Sequence, residues 1–285
     1  MSFPSADPMV TAAWLAEHLG EADLAVIDAT WFMPDDARSG RDAYVEGHIP
    51  GAAFFDIDEV ADKSSGLPHM LPDPQEFAVH VRRMGVNAGS DVVVYDAQGL
   101  FSAPRVWWSF RVMGHDGVRV LDGGLPAWLA DGHPVETGWP QPEHGDFKSH
   151  FRPELVRSLS QVREGLSGTS IQVLDARSAE RFDARTPEPR EGLRGGHMPG
   201  ARNLPSATVI SEDKTLRQAP ELTRLFQDAG IDLDQPITTS CGSGVSAAIL
   251  SLGLARLGRW SAPVYDGSWT EWGGRDDTPV ATGPA

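Results

Sequence analysis

The 285-residue chain repeats itself once, at the scale of a whole domain. LAVIDATWF at 24–32 resembles IQVLDARSA at 171–179. EGHIPGA at 46–52 resembles GGHMPGA at 195–201, and VLDGGLPAW at 120–128 resembles VYDGSWTEW at 264–272. The blocks keep their order and nearly one offset: 147 from Asp28 to Asp175, 149 from His48 to His197 and 144 from Trp128 to Trp272. Solenoid units recur every few tens of residues, so a period this long marks a duplicated domain. Length agrees, because single cores stop growing at roughly 250–300 residues.

Each half alternates short apolar runs with amphipathic stretches. VVVYDA at 92–97 starts β-branched and continuously apolar, as a strand buried on both faces does. SAPRVWWSFRVMG at 102–114 reads as a helix, with Ser102 able to cap, Pro104 in the first turn and Gly114 as terminator. VRVLDGG is a further strand, LPAWLADG a short helix, and Asp73-Pro74 opens a helix that ends at Gly85. The second half repeats the plan: strand IQVLDA, helix PELTRLFQDAG, strand PITTS, helix SAAILSLGLARLG and strand APVYDG. The expected fold class is α/β, two tandem domains that are each a mostly parallel sheet flanked by helices. GWPQPEHGDFKSHFRPELVR at 138–157 lacks periodicity and is rich in Pro, Gly and charge. It is the expected linker between a first domain at 1–137 and a second at 158–285.

The copies differ at one loop. DAQG at 96–99 aligns with CGSG at 241–244, which puts Asp96 at the place of Cys241, the chain's single cysteine. One copy has a potential nucleophile and the other a carboxylate, so one half is expected to be active and the other chemically silent. Cys241 follows a strand and precedes a helix. Gly242 and Gly244 permit a tight loop whose amides, with Ser243, Val245 and Ser246, can converge on an anion. That setting favours a thiolate and stabilises a terminal persulfide. A lone cysteine is otherwise most often a small buried hydrophobe. A phosphatase nucleophile of the Cys-x5-Arg kind would need an arginine clamp where this chain has Ala247.

Other classes recede on composition. A formal net charge of −16 argues against nucleic acid and anionic membranes as partners. No apolar stretch approaches the roughly 20 residues of a membrane helix, and the first residues lack the pattern of a secretory signal. One cysteine forms no internal disulfide, so a reducing cytoplasm is expected. Nine histidines are scattered without HxH, HExxH or CxxC spacing, so no metal or other cofactor is expected. His48 and His197 recur in both halves, which points to turn architecture rather than catalysis. Trp269 and Trp272 are expected to pack the last helix onto the core.

CGSGVSA, the paired HIPGA and HMPGA blocks, SAPRVWWSFRVMGH and DGSWTEW together resemble the tandem rhodanese sulfurtransferases over almost the whole chain. The resemblance implies a silent N-terminal rhodanese domain and a C-terminal one whose cysteine carries sulfur as a persulfide. Within the family, thiosulfate-preferring members resemble Cys-Arg-Lys-Gly after the strand, whereas mercaptopyruvate sulfurtransferases resemble the Cys-Gly-Ser-Gly found here. Ser246 stands where the family usually has threonine.

The resemblance also assigns roles. FFDID at 54–58 and PHMLP at 68–72 match segments that supply an aspartate and a histidine to a serine-containing triad, which maps to Asp58, His69 and Ser243 at a site between the domains. The block at 175–190 matches one whose arginines grip mercaptopyruvate, which maps to Arg181 and Arg190, with Arg177 and Arg185 as weaker candidates. The loop residues Gly242, Gly244, Val245 and Ser246 complete the substrate-binding set. The implied reaction moves sulfur from 3-mercaptopyruvate through Cys241 to a thiol acceptor such as thioredoxin or a small thiol, releasing pyruvate. The rival readings are a thiosulfate sulfurtransferase of the same fold and a non-catalytic binding module.

Overall fold

The computed structural model describes residues 7–168 and 170–284, so the first six residues of the N-terminal reading and the last residue of the second domain lie outside it. The chain divides into two compact units. The first is Met1–Asp62, Leu71–Arg152 and Ser211–Leu216, and the second is Lys63–Met70, Pro153–Ile210 and Arg217–Ala285. Each unit therefore includes a short segment from the other half of the sequence.

The first unit runs β1 (Met9–Val10), α1 (Ala12–His18), β2 (Leu24–Asp28), α2 (Gly40–Glu46), β3 (Ala53–Phe54), α3 (Pro74–Arg83), β4 (Asp91–Tyr95), α4 (Ala103–Val112), β5 (Val118–Leu121) and α5 (Gly124–Ala130). The second runs β6 (Val156–Arg157), α6 (Leu159–Ser167), β7 (Gln172–Asp175), α7 (Ala179–Phe182), β8 (Arg202–Asn203), α8 (Ala219–Asp228), β9 (Ile237–Ser240), α9 (Ala247–Arg256), β10 (Val264–Tyr265) and α10 (Ser268–Trp272). The sheets are ordered β1-β5-β4-β2-β3 and β6-β10-β9-β7-β8, strand for strand the same, and every pairing is parallel. The internal repeat is therefore a repeat of topology, and the α/β expectation holds in each unit.

β4 is the central strand of its sheet, and Val92, Val93, Val94 and Tyr95 are fully buried. Its counterpart β9 is buried as thoroughly but carries Thr238, Thr239 and Ser240. Val26, Val93, Leu121, Tyr44 and Trp128 share one core, and Val162, Val173, Tyr265, Trp269 and Trp272 share the other. The last two tryptophans fix α10 as expected, Trp269 Nε1 donating to the Arg194 carbonyl and Trp272 Nε1 to that of Pro279. His48 and His197 are turn residues. His48 Nδ1 donates to the Tyr44 carbonyl at 2.8 Å and its ring stacks on Tyr44, and His197 does the same with Phe182 at 2.9 Å.

The helix starts follow local chemistry. Asp73 caps α3 through the Gln75 amide with Pro74 in its first turn, and Ser158 and Gln161 form a reciprocal capping box on α6. α4 departs from expectation, because Ser102 precedes it but makes no side-chain cap bond. Asp96 does the capping instead: its Oδ2 accepts from the amides of Phe101, Ser102 and Ala103 at 2.8, 3.0 and 2.9 Å, and its Oδ1 from Gln98 at 2.9 Å. A carboxylate with two oxygens can collect amides that a single hydroxyl would have to share. No helix among the described residues is long and apolar enough to cross a membrane.

Candidate active site

β9 ends at Ser240, and the chain turns through Cys241, Gly242, Ser243, Gly244, Val245 and Ser246 into α9. This turn lies at the carboxyl end of a parallel strand, the edge where open α/β sheets gather ligands. Gly244 takes φ 78°, a left-handed conformation that a side chain resists. Cys241 is 1% exposed.

The start of α10 holds the turn from behind. The Cys241 amide donates to Ser268 Oγ at 3.1 Å, and that hydroxyl donates to the Tyr265 carbonyl at 2.8 Å. The Trp269 amide donates to the Cys241 carbonyl at 2.9 Å. Thr270 donates to the Gly242 carbonyl twice, from its amide at 2.8 Å and its hydroxyl at 2.6 Å. Ser268 is fully buried at φ 48°. Its counterpart in the first repeat is Gly124, at φ 56°. The left-handed step is thus shared, and only the second copy places a side chain on it.

His69 belongs by contact to the second unit. Its Nδ1 and Ser243 Oγ share a hydrogen bond of 3.0 Å, with His69 5% and Ser243 7% exposed. His69 also holds φ 61°, a conformation costing a residue with Cβ about 1 kcal/mol, so the surrounding structure fixes it there. Asp58 lies in the first unit, where its Oδ2 accepts from Trp31 Nε1 at 2.7 Å.

The arginine candidates separate clearly. Arg181 leans on the cysteine loop, since a Cβ built on Gly242 would stand 3.2 Å from Arg181 Nη2. Arg190 is partly buried and lines an open cleft of about 640 Å³ with Arg185, Glu188 and Glu191. Arg185 is exposed and pairs with Asp183 at 3.1 Å. Arg177 is unfit to grip a substrate. Its side chain is fully buried and bonded to Asp175, Glu188 and the Gly196 carbonyl, and it lies over the Trp269 ring at 4.3 Å. Burial opposes its charge, but Asp175 and then Glu188 more than offset that, holding the guanidinium above its ordinary range. Val245 is buried, and Ser246 occupies the α9 cap position without a side-chain cap bond.

Sequence reasoning passed over Ser268, Thr270 and Glu188. Ser268 had a readable signal, a serine in one copy where the other has glycine. Glu188 had none, because an acid among arginines in a charged loop looks like solvated surface. Among the described residues no group of three or more His, Cys, Asp or Glu side chains is placed to hold a metal.

The rhodanese-like domain family model matches residues 11–131 and again 158–275. The chain belongs to the rhodanese family. It is 43% identical to a mitochondrial thiosulfate/3-mercaptopyruvate sulfurtransferase of Arabidopsis thaliana, over 98% of this chain and 79% of that protein. It is 44% identical to the 3-mercaptopyruvate sulfurtransferase of Escherichia coli K12, over 95% of this chain and 96% of that one. The crystal structure of a 3-mercaptopyruvate sulfotransferase from Escherichia coli superposes with a TM-score of 0.86 at 42% identity, covering 92% of this chain and 99% of that one. This rhodanese chain is accordingly a sulfurtransferase that passes sulfur through a cysteine persulfide, and its sequence holds one cysteine.

Proposed function

We propose that the enzyme takes its sulfur from 3-mercaptopyruvate, and that Cys241 carries it. The observation that supports this most is the neutral loop. Gly242-Ser243-Gly244 brings no cation of its own beside the cysteine, and Ser243 is bonded to His69 at 3.0 Å. A dianionic donor is served by cations on the cysteine loop itself, whereas an α-keto acid calls for a clamp on its carboxylate and keto oxygen and a route for a proton.

The Cys241 thiolate attacks the donor sulfur. The carbon–sulfur bond breaks, and its electron pair stays on carbon as the enolate of pyruvate. Arg181 and Arg190 hold the carboxylate and keto oxygen, and their charge stabilises the enolate. The proton of the donor thiol passes by way of Ser243 and His69 to the enolate carbon. Pyruvate leaves and Cys241 is left as the persulfide anion. Loop amides from Gly242 to Ser246 are suited to that anion, as the amides around Asp96 are to its carboxylate. An acceptor thiolate, from a thioredoxin or a small thiol, then attacks the outer sulfur. It leaves as a persulfide and returns Cys241 as the thiolate, a two-stage cycle. Of the linker expected at 138–157, the part as far as Arg152 belongs to the first compact unit, and a reducing cytoplasm suits a lone thiol that must stay reduced. Steady-state turnover with each donor tests the reading. It predicts a higher kcat/KM for 3-mercaptopyruvate than for thiosulfate, and equal or better use of thiosulfate would overturn it.

A further inference from the structure

Four charged side chains of the second unit form one closed network beside the cysteine loop. Arg177 Nε and Nη2 bond the Asp175 carboxylate at 2.7 to 3.1 Å, and Arg177 Nη1 donates to Glu188 Oε1 at 2.8 Å. Glu188 reaches Arg181 from the same carboxylate, accepting from Nη2 at 2.5 Å and from Nε at 3.3 Å. The side chains of Asp175, Arg177 and Glu188 are 0%, 0% and 1% exposed, whereas that of Arg181 is 25% exposed. Two cations and two anions thus share an almost dry space, and Arg181 alone reaches out of it, toward Gly242.

Fixed geometry and cancelled charge both follow. An arginine tethered through two nitrogens has given up most of its rotamer freedom before any ligand arrives. Asp175 already neutralises Arg177, so Glu188 is the group that offsets Arg181. A carboxylate this well buried is poorly screened, and its field reaches the donor's position. That field disfavours each negative charge a donor brings, so a dianion is penalised about twice as much as a monoanion.

We propose that Glu188 is a positioning and specificity-determining residue: it holds Arg181 against the cysteine loop and cancels enough charge to admit a monoanionic keto acid over dianionic thiosulfate. The inference rests on 3-mercaptopyruvate being the preferred donor, and it places part of that preference outside the loop that follows the cysteine.

The test is steady-state kinetics with 3-mercaptopyruvate and with thiosulfate on wild type, Glu188→Gln and Glu188→Asp. Glu188→Gln keeps the shape and removes the charge. The ratio of kcat/KM for thiosulfate over 3-mercaptopyruvate should rise about tenfold, mainly through a lower KM for thiosulfate. Glu188→Asp keeps the charge and shortens the tether. It should lower kcat/KM for both donors and leave their ratio within about twofold of wild type. A ratio unchanged in Glu188→Gln, with both donors losing kcat equally, overturns the proposal. So does a tenfold shift of the ratio in Glu188→Asp, which stands as a test even if the glutamine variant does not fold. Wild type preferring thiosulfate would instead sink the donor assignment, so the two failures are told apart.

Discussion

Ser268 shows at single-residue scale how the copy that carries the cysteine differs from the one that does not. Both copies step through a left-handed residue at the start of their last helix, Gly124 at φ 56° and Ser268 at φ 48°. Glycine meets that step at no steric cost, whereas serine is strained by about 1 kcal/mol. The strained serine is the one whose Oγ accepts the Cys241 amide. Ser268→Gly should therefore lower kcat several-fold while thermal stability falls by less than the loss of a buried hydrogen bond implies, about 1 kcal/mol or under. Unchanged kcat would show that the contact does not position the thiol. Asp28 and Asp175 give a second comparison at equivalent positions. Asp175 is bonded to Arg177, but residue 30 of the first copy is Thr30, which gives Asp28 an amide bond at 2.8 Å. Burial, the dominant cause, raises the Asp28 carboxyl to about 6, with hydrogen bonds from Thr30 and Tyr95 opposing it. A carboxyl raised in the folded state favours folding below its unfolded value of 3.8, and that contribution is lost as pH rises through about 6. Asp28→Asn should therefore exceed wild type in stability at pH 7 by about 1 to 3 kcal/mol, with the gap closing toward pH 4 in denaturant titrations. An asparagine variant less stable at pH 7 than wild type would contradict this.

The strand–loop–helix element is where most of the site was legible in the sequence. β4 with α4 and β9 with α9 could be read from apolar runs, prolines and glycines, and the alignment of Asp96 with Cys241 singled out the reactive position. The edge strands β1, β3, β6 and β8 were not legible, because two residues carry no periodicity. α1, α2 and α6 were missed although Thr11, Ser39 and Ser158 cap them, since their apolar faces are narrow. Ser102 looked like the cap of α4, yet the cap is six residues earlier, a long-range solution that no local motif announces. His69 could be placed only by resemblance, because nothing near a Pro-flanked loop histidine reveals a serine 174 positions away. Asp96 supplies the prediction at this scale. Burial pushes its carboxyl up while four amides pull it down, and those amides need an acceptor whatever its charge. Asp96→Ala should destabilise the protein by about 2 to 4 kcal/mol, and Asp96→Asn by less, as read from urea midpoints. Equal stability of all three would mean that the amides find other acceptors.

At the scale of the whole molecule, duplication made two sheets of identical strand order, and only one of the two equivalent turns carries a cysteine. The first copy retains the turn as architecture, with a carboxylate locked onto its own helix. The second leaves the same position to a thiol, fixes that thiol from α10, and sets beside it a serine bonded to histidine and a tethered arginine. A chain with one cysteine can carry one sulfur on a thiol and has no partner thiol of its own to resolve it. The most direct measurement is intact mass after treatment with 3-mercaptopyruvate and removal of excess donor. Wild type should gain one sulfur atom per chain, lose it on addition of a thiol, and gain none when the variant is Cys241→Ser. A wild-type chain that gains nothing, or a Cys241→Ser chain that still gains sulfur, would contradict the account.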